Sequence, residues 1–182
     1  KPWMSNSHFL DGLFFSINRS EFADKRGMTE SFNYFSDSYM SNPKKGTSYN
    51  STDEHKDAVS YYHSFNSQGK DNFGYDFDRA VDNFRIAVNE LVDQGAFDLG
   101  KSQKEPTVIQ IHIRWMNQGD ISEYGEDIKA YFERAFNDVS VCGGLVKLEV
   151  KQDEVSYWED VYDKWMQVGK FDLGFGAISG NT

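Results

Sequence analysis

Apolar residues change their spacing several times along the chain, and each change marks a different kind of element. Phe9, Leu10, Leu13, Phe14 and Ile17 recur at helical intervals behind Ser5 and Ser7, both competent N-caps, which predicts a first helix. Ser20-Glu21-Phe22-Ala23 reads as a short second helix, ended by a basic turn and Gly27. Across residues 28–74 no period survives. Turn formers such as Asn42-Pro43 and Lys45-Gly46 interrupt a scatter of rings: Phe32, Tyr34, Phe35, Tyr39, Tyr49, Tyr61, Tyr62 and Phe65. One short helix is expected there, from Ser51 or Thr52 to about Tyr62, because Ser51-Thr52-Asp53-Glu54 has capping-box spacing. The rings predict that the segment is an ordered wrap rather than a disordered loop.

The strongest helix follows. Ala80, Val81, Phe84, Ala87, Val88, Leu91 and Val92 form one stripe behind Asp76 or Asp78, and Gly95 closes it. After a polar linker at 101–106 the period drops to two. Ile109, Ile111, Ile113 and Trp115 alternate with Gln110, His112 and Arg114, the signature of a strand with one buried face. Ile121, Tyr124, Ile128, Tyr131, Phe132, Ala135 and Phe136 make a helical face, and Val146, Leu148 and Val150 a second strand. Ser156 and Glu159 have capping-box spacing before Trp158, Val161, Trp165 and Val168, with Gly169 as the stop. An apolar third strand is predicted over 171–178. Strands separated by helices imply parallel pairing with right-handed crossovers. The class is therefore α/β: a mainly parallel sheet in a βαβαβ unit over about 107–178. N-terminal helices and the wrapping loop occupy 1–104 of a single lobe spanning 1–182.

Charge narrows the function. The chain has 19 Lys+Arg against 29 Asp+Glu, a net −10, which argues against nucleic acid and anionic membrane surfaces as partners. No apolar run reaches the ~20 residues of a membrane span. Cys142 is the single cysteine, so neither an intrachain disulfide nor a cysteine-based zinc site is available. The absence of an initiating Met, and the ending at Gly180-Asn181-Thr182 just after an apolar run, lead to the expectation of a piece of a longer polypeptide.

Candidate chemistry is sparse. Glu126-Asp127 and Glu159-Asp160 are helix neighbours that point in different directions and read as solvated faces. His55 and His63 lie near Asp53, Glu54 and Asp57 but lack the one-turn spacing of a zinc helix, and no metal or cofactor is expected. His112 falls on the strand face opposite the isoleucines, as a surface or helix-covered residue. Gly143-Gly144 precedes a strand and reads as a turn rather than a phosphate cradle. In open α/β sheets ligands sit beyond the carboxyl ends of the strands. Those ends carry Trp115 and Asn117, Gln152 and Asp153, and Ala177, Ile178, Ser179 and Asn181, a rim suited to stacking and hydrogen bonding. Trp158, in the first turn of its helix, packs on the sheet by default and is a further candidate for the rim.

Several stretches resemble the family 5 extracellular solute-binding proteins, the peptide- and oligopeptide-binding components of bacterial ABC importers. Leu13-Phe14-Phe15-Ser16-Ile17-Asn18-Arg19-Ser20-Glu21 is similar to the family's "ALSYAIDRE" helix, with Asn18 where Asp is commoner. Tyr75-Asp76-Phe77-Asp78-Arg79-Ala80 resembles its "YDPEKA" step, and Glu90-Leu91-Val92-Asp93-Gln94-Gly95 its "ELLAEAG" ending. The late strand-helix-strand-helix-strand series, closing on Gly169-Lys170-Phe171-Asp172-Leu173, resembles "GDYDMAL" in order and place. The resemblance implies most of the second lobe of a two-lobed, periplasmic-binding-protein-like receptor, at the outer face of the cell membrane as a lipoprotein or in the periplasm. It implies a peptide or other solute as ligand, the importer's permease as partner, no catalysis, and no membrane insertion by this fragment. It places ligand contacts at Trp158 and at Phe175, Ala177, Ile178, Ser179 and Asn181. Asn181 stands where a carboxylate pairs with a peptide's free amine, so a blocked peptide, an oligosaccharide or another polar solute is also open. Two alternatives remain beside it: a secreted hydrolase domain using strand-end carboxylates such as Asp153 and Glu123, and a surface module whose aromatic wrap docks a partner.

Overall fold

The computed structural model describes residues 1–31 and 38–174. In chain order the elements are α1 (Ser7–Ser16), α2 (Arg19–Asp24), β1 (Met40–Asn42), β2 (Thr47–Ser48), α3 (Asp53–Val59), α4 (Phe77–Asp93), β3 (Thr107–Met116), α5 (Ile121–Phe136), β4 (Val146–Val155), α6 (Trp158–Val161) and β5 (Leu173–Gly174). The described residues fall into two compact units, one formed by 1–17 with 76–174, the other by 18–75.

The first unit is mixed α/β, and its three described strands are parallel in the order β4-β3-β5. β3 and β4 run in unbroken register from Thr107 opposite Val146 to Met116 opposite Val155. β5 joins the other side of β3, with Ile113 opposite Leu173 and Arg114 opposite Gly174. The expected third strand over 171–178 is described only as far as Gly174, and its remainder lies outside the described residues.

Alternation along β3 and β4 decides what covers each face. Ile109, Ile111, Ile113 and Trp115 are buried, as are Val146, Leu148 and Val150, and α5 packs over this face. The indole N–H of Trp115 donates to the Ile121 carbonyl at the start of α5, and Gln152 reaches the Ser122 carbonyl at 3.1 Å on the same side. The chain then crosses from β4 back over β3 to reach β5. A right-handed crossover in that direction lies on the opposite face. The segment after α6 does lie there: Trp165, in a single π-helical turn (Tyr162–Met166), stands 4.8 Å from the Arg114 guanidinium.

Helices α1 and α4 pack on each other and on α5. Their junction is a triangle of fully buried rings: Phe9–Phe84 at 5.6 Å, Phe9–Phe136 at 6.0 Å and Phe84–Phe136 at 5.1 Å, all edge-to-face. That is the preferred geometry of aromatic quadrupoles. Gly12 admits the close approach, because a Cβ there would stand 2.6 Å from the Phe84 ring.

Two caps differ from expectation. Asn6, not Ser5 or Ser7, caps α1, its Oδ1 accepting the Phe9 N–H at 2.9 Å. Ser5 is consumed by a preceding 3-10 turn (Pro2–Ser5) and Ser7 is already helical, so only Asn6 has the extended backbone a cap needs. The capping box at Ser156 does not form either. Extended structure continues to Val155, the helix opens one residue later at Tyr157, and no side chain caps it. Asp76 caps α4 as expected, accepting the Arg79 N–H at 3.0 Å.

In the second unit, Asn18 caps α2, and Gly27 after it takes a left-handed φ of 61°. Thr52 caps α3, which passes at Val59 into a 3-10 turn (Ser60–Tyr62). An antiparallel ribbon, β1 with β2, was not foreseen; it folds around a 3-10 turn (Pro43–Lys45) that Gly46 closes at φ 64°. His55 is buried edge-on to Tyr49 at 5.1 Å, and His63 stacks on Phe65 at 5.7 Å with its Nδ1 3.6 Å from Asp71 Oδ2.

Candidate functional site

The strand ends and the second face of the sheet concentrate the chemistry of the first unit. At the ends, α5 leaves β3 on one face while α6 leaves β4 toward the other. Loops that part in this way are where open α/β sheets place a ligand. Asn117 is exposed there, its backbone N–H donating to the Val155 carbonyl at 2.8 Å. Trp158 is half-buried and stacks on Tyr162 at 6.5 Å with 27° between the planes. Trp115 is placed differently: it is 8% exposed and its indole is tied to Ile121, so it packs beneath α5. Phe175, Ala177, Ile178, Ser179 and Asn181 lie outside the described residues.

The second face carries a network that spacing alone did not reveal. His112 Nδ1 lies 2.7 Å from Asp153 Oδ2, and Arg114 Nη1 donates to the same oxygen at 2.5 Å. Arg114 Nε donates to the Lys170 carbonyl at 3.0 Å. Asp172, just ahead of β5, accepts the backbone N–H of His112 at 2.7 Å and pairs with the Lys1 ammonium. Further toward the start of the strands, Glu149 takes bonds from Lys151 and Gln110, which hold its carboxyl below the usual range. His112 and Arg114, two apart on β3, share a face by strand geometry, which the sequence did give. That Asp153 sits opposite Arg114 follows only from the register of two strands joined by a sixteen-residue helix.

Beside this network lies an open cleft of about 350 Å³ lined by Lys1, His112, Arg114, Gly169, Lys170, Phe171 and Asp172. None of these residues offers a hydroxyl or thiol nucleophile. The paired carboxylates Asp153 and Glu123 do not converge. α5, which carries Glu123, covers the face holding Gln152 and Glu154, whereas Asp153 turns to the other face and is engaged by Arg114 and His112. Glu126 pairs with Lys129 on α5, and Asp160 with Lys164 in the π-helical turn that follows α6, the solvated arrangement expected of them. Among the described residues, no group of three or more His, Cys, Asp or Glu is placed to hold a metal ion.

In comparisons with known proteins, no family model, no curated protein and no solved structure matches the chain.

Proposed function

We propose that this chain is a non-catalytic ligand-binding lobe of a solute receptor serving an ABC importer, with a peptide as the favoured solute. In this reading the lobe has the periplasmic-binding-protein architecture and works outside the cell membrane. A second lobe closes over the strand-end crevice, and the closed receptor docks on the permease. What supports it most is the departure of the loops after β3 and β4 toward opposite faces. In this reading the ligand lies at the carboxyl edge of the parallel sheet, between those loops, where the amide Asn117 and the Trp158–Tyr162 stack would meet it. Amides and stacked rings hold a guest through hydrogen bonds and flat apolar contact without exchanging protons with it.

Calorimetry with short peptides, in free and N-acetylated forms, tests the reading. Saturable heat is expected with both forms, because Asn181 has no charge to pair with a free amine, and the peptides should keep their mass after incubation. The isolated lobe should bind more weakly than the two-lobed receptor. Peptide cleavage, or no binding by either protein, would reject the reading.

A further inference from the structure

We propose that the cleft on the second face of the sheet is a subsite for a small organic carboxylate, separate from the strand-end crevice and independent of the transport reading. In a chain of net charge −10, the cations Lys1, Arg114 and Lys170 converge on this one cleft. The carboxylates beside them are already engaged: Asp153 by Arg114 and His112, and Asp172 by Lys1 and the His112 N–H. Cations outnumber carboxylates three to two, so the cleft is locally positive on an acidic protein, a geometry that concentrates anions.

Donors are also left over. A guanidinium has five N–H groups. Arg114 uses Nε on Lys170 O and one Nη1 hydrogen on Asp153, so three have no partner among the described residues. Asp153 and the Trp165 ring fix the plane of that guanidinium, which removes much of the entropy loss of ordering it around a ligand. The Lys170 ammonium likewise holds no ion pair among the described residues. A planar fork with adjacent free donors suits a carboxylate. The Phe171 ring, 39% exposed at the cleft wall, gives the same ligand an apolar surface. Together these features select a carboxylate attached to an aromatic or aliphatic body over a bare inorganic anion.

A ¹H–¹⁵N NMR titration of the whole 182-residue chain reads this directly. The probes are hippurate, its neutral amide hippuramide, and inorganic phosphate. Hippurate should saturate and shift the Lys170 and Phe171 amides and the Arg114 Nε–H. Hippuramide should bind at least about tenfold more weakly, the loss expected for a charge-assisted pair. Lys170→Glu changes an exposed side chain and should fold normally, yet weaken hippurate about tenfold or more. Phe171→Ala should weaken hippurate and leave phosphate unchanged. Equal binding of hippurate and hippuramide, an unaffected Lys170→Glu, phosphate binding tighter than hippurate, or no saturable shift at these residues would each overturn the assignment.

Discussion

Asn137 hydrogen-bonds the backbone of Leu148 twice, its Oδ1 accepting the N–H at 2.8 Å and its Nδ2 donating to the carbonyl at 3.1 Å. An amide side chain thereby imitates the neighbouring strand that β4 lacks on its outer side among the described residues. Glu133 continues the imitation by accepting the Val150 N–H at 2.8 Å. Exposed strand edges recruit other chains unless they are covered. Asn137→Ala should destabilise the fold by about 1–2 kcal/mol, since two bonds are lost and a strand backbone is left unpaired. It should also raise self-association. Urea denaturation and light scattering check both; an unchanged midpoint would mean that water replaces Asn137 without loss.

Gly12→Ala tests the α1–α4 junction. A methyl group gains helix propensity but meets the Phe84 ring at 2.6 Å, and that ring is fully buried and held by Phe9 and Phe136. Overpacking should dominate, with a net loss of about 1–3 kcal/mol visible as a lower melting temperature.

Glu90 ties α4 to the cap of α1. Its carboxyl accepts from Asn6 Nδ2 at 2.8 Å and lies 3.1 Å from His8 Nδ1, and these bonds hold it below the ordinary 4.5. A carboxyl depressed in the folded state contributes stability that is present above its unfolded value and is lost as pH falls through the folded one. Part of the acid sensitivity below about pH 4.5 should therefore come from Glu90, and Glu90→Gln should flatten that limb of a stability–pH curve. An identical acid limb in the variant would remove Glu90 from the account.

Cys142 should react slowly for a free thiol. Burial pushes its thiol above the ordinary value, against the opposing pull of Arg85, and its Sγ lies 3.4 Å from Asn89 Oδ1. Since the thiolate is the nucleophile, iodoacetamide should label it more slowly than glutathione at pH 8, with the gap narrowing at higher pH.

Trp115 and Trp158 should separate stability from binding. Trp115→Phe removes the donor to Ile121 and should lower stability by about 1 kcal/mol while leaving peptide affinity unchanged. Trp158→Ala should weaken peptide binding under the reading proposed above. If Trp115→Phe weakens binding as much as Trp158→Ala, the crevice is not where the peptide sits.

Elements with a long, one-sided apolar pattern were readable from the sequence. The stripe from Ala80 to Leu91 became α4, and the alternation from Ile109 to Trp115 became β3 with the faces as read. The parallel βαβ core followed, because few topologies connect such elements. Short elements were not readable: β1 and β2 are three and two residues long, too short to show any period. Polar continuations hid boundaries, as where Gln152, Asp153 and Glu154 extend β4 without an apolar face. At the candidate sites the residue types were visible but their partners were not. Asp153 was noted as a strand-end carboxylate, yet its engagement by Arg114, 39 residues away, depends on register. Trp115 read as a rim residue because it ends an alternating strand, but its parity places it beneath α5.

The middle strand of the sheet is also the earliest of the three in the chain. Of the three described strands β3 is made first, β4 then flanks it, and β5 later takes its other side. Among the described strands none has to wedge itself between two that are already joined, so these three can assemble by accretion from the centre outward. A chain halted before β5 should therefore already hold a closed two-strand seed rather than a sheet with a gap.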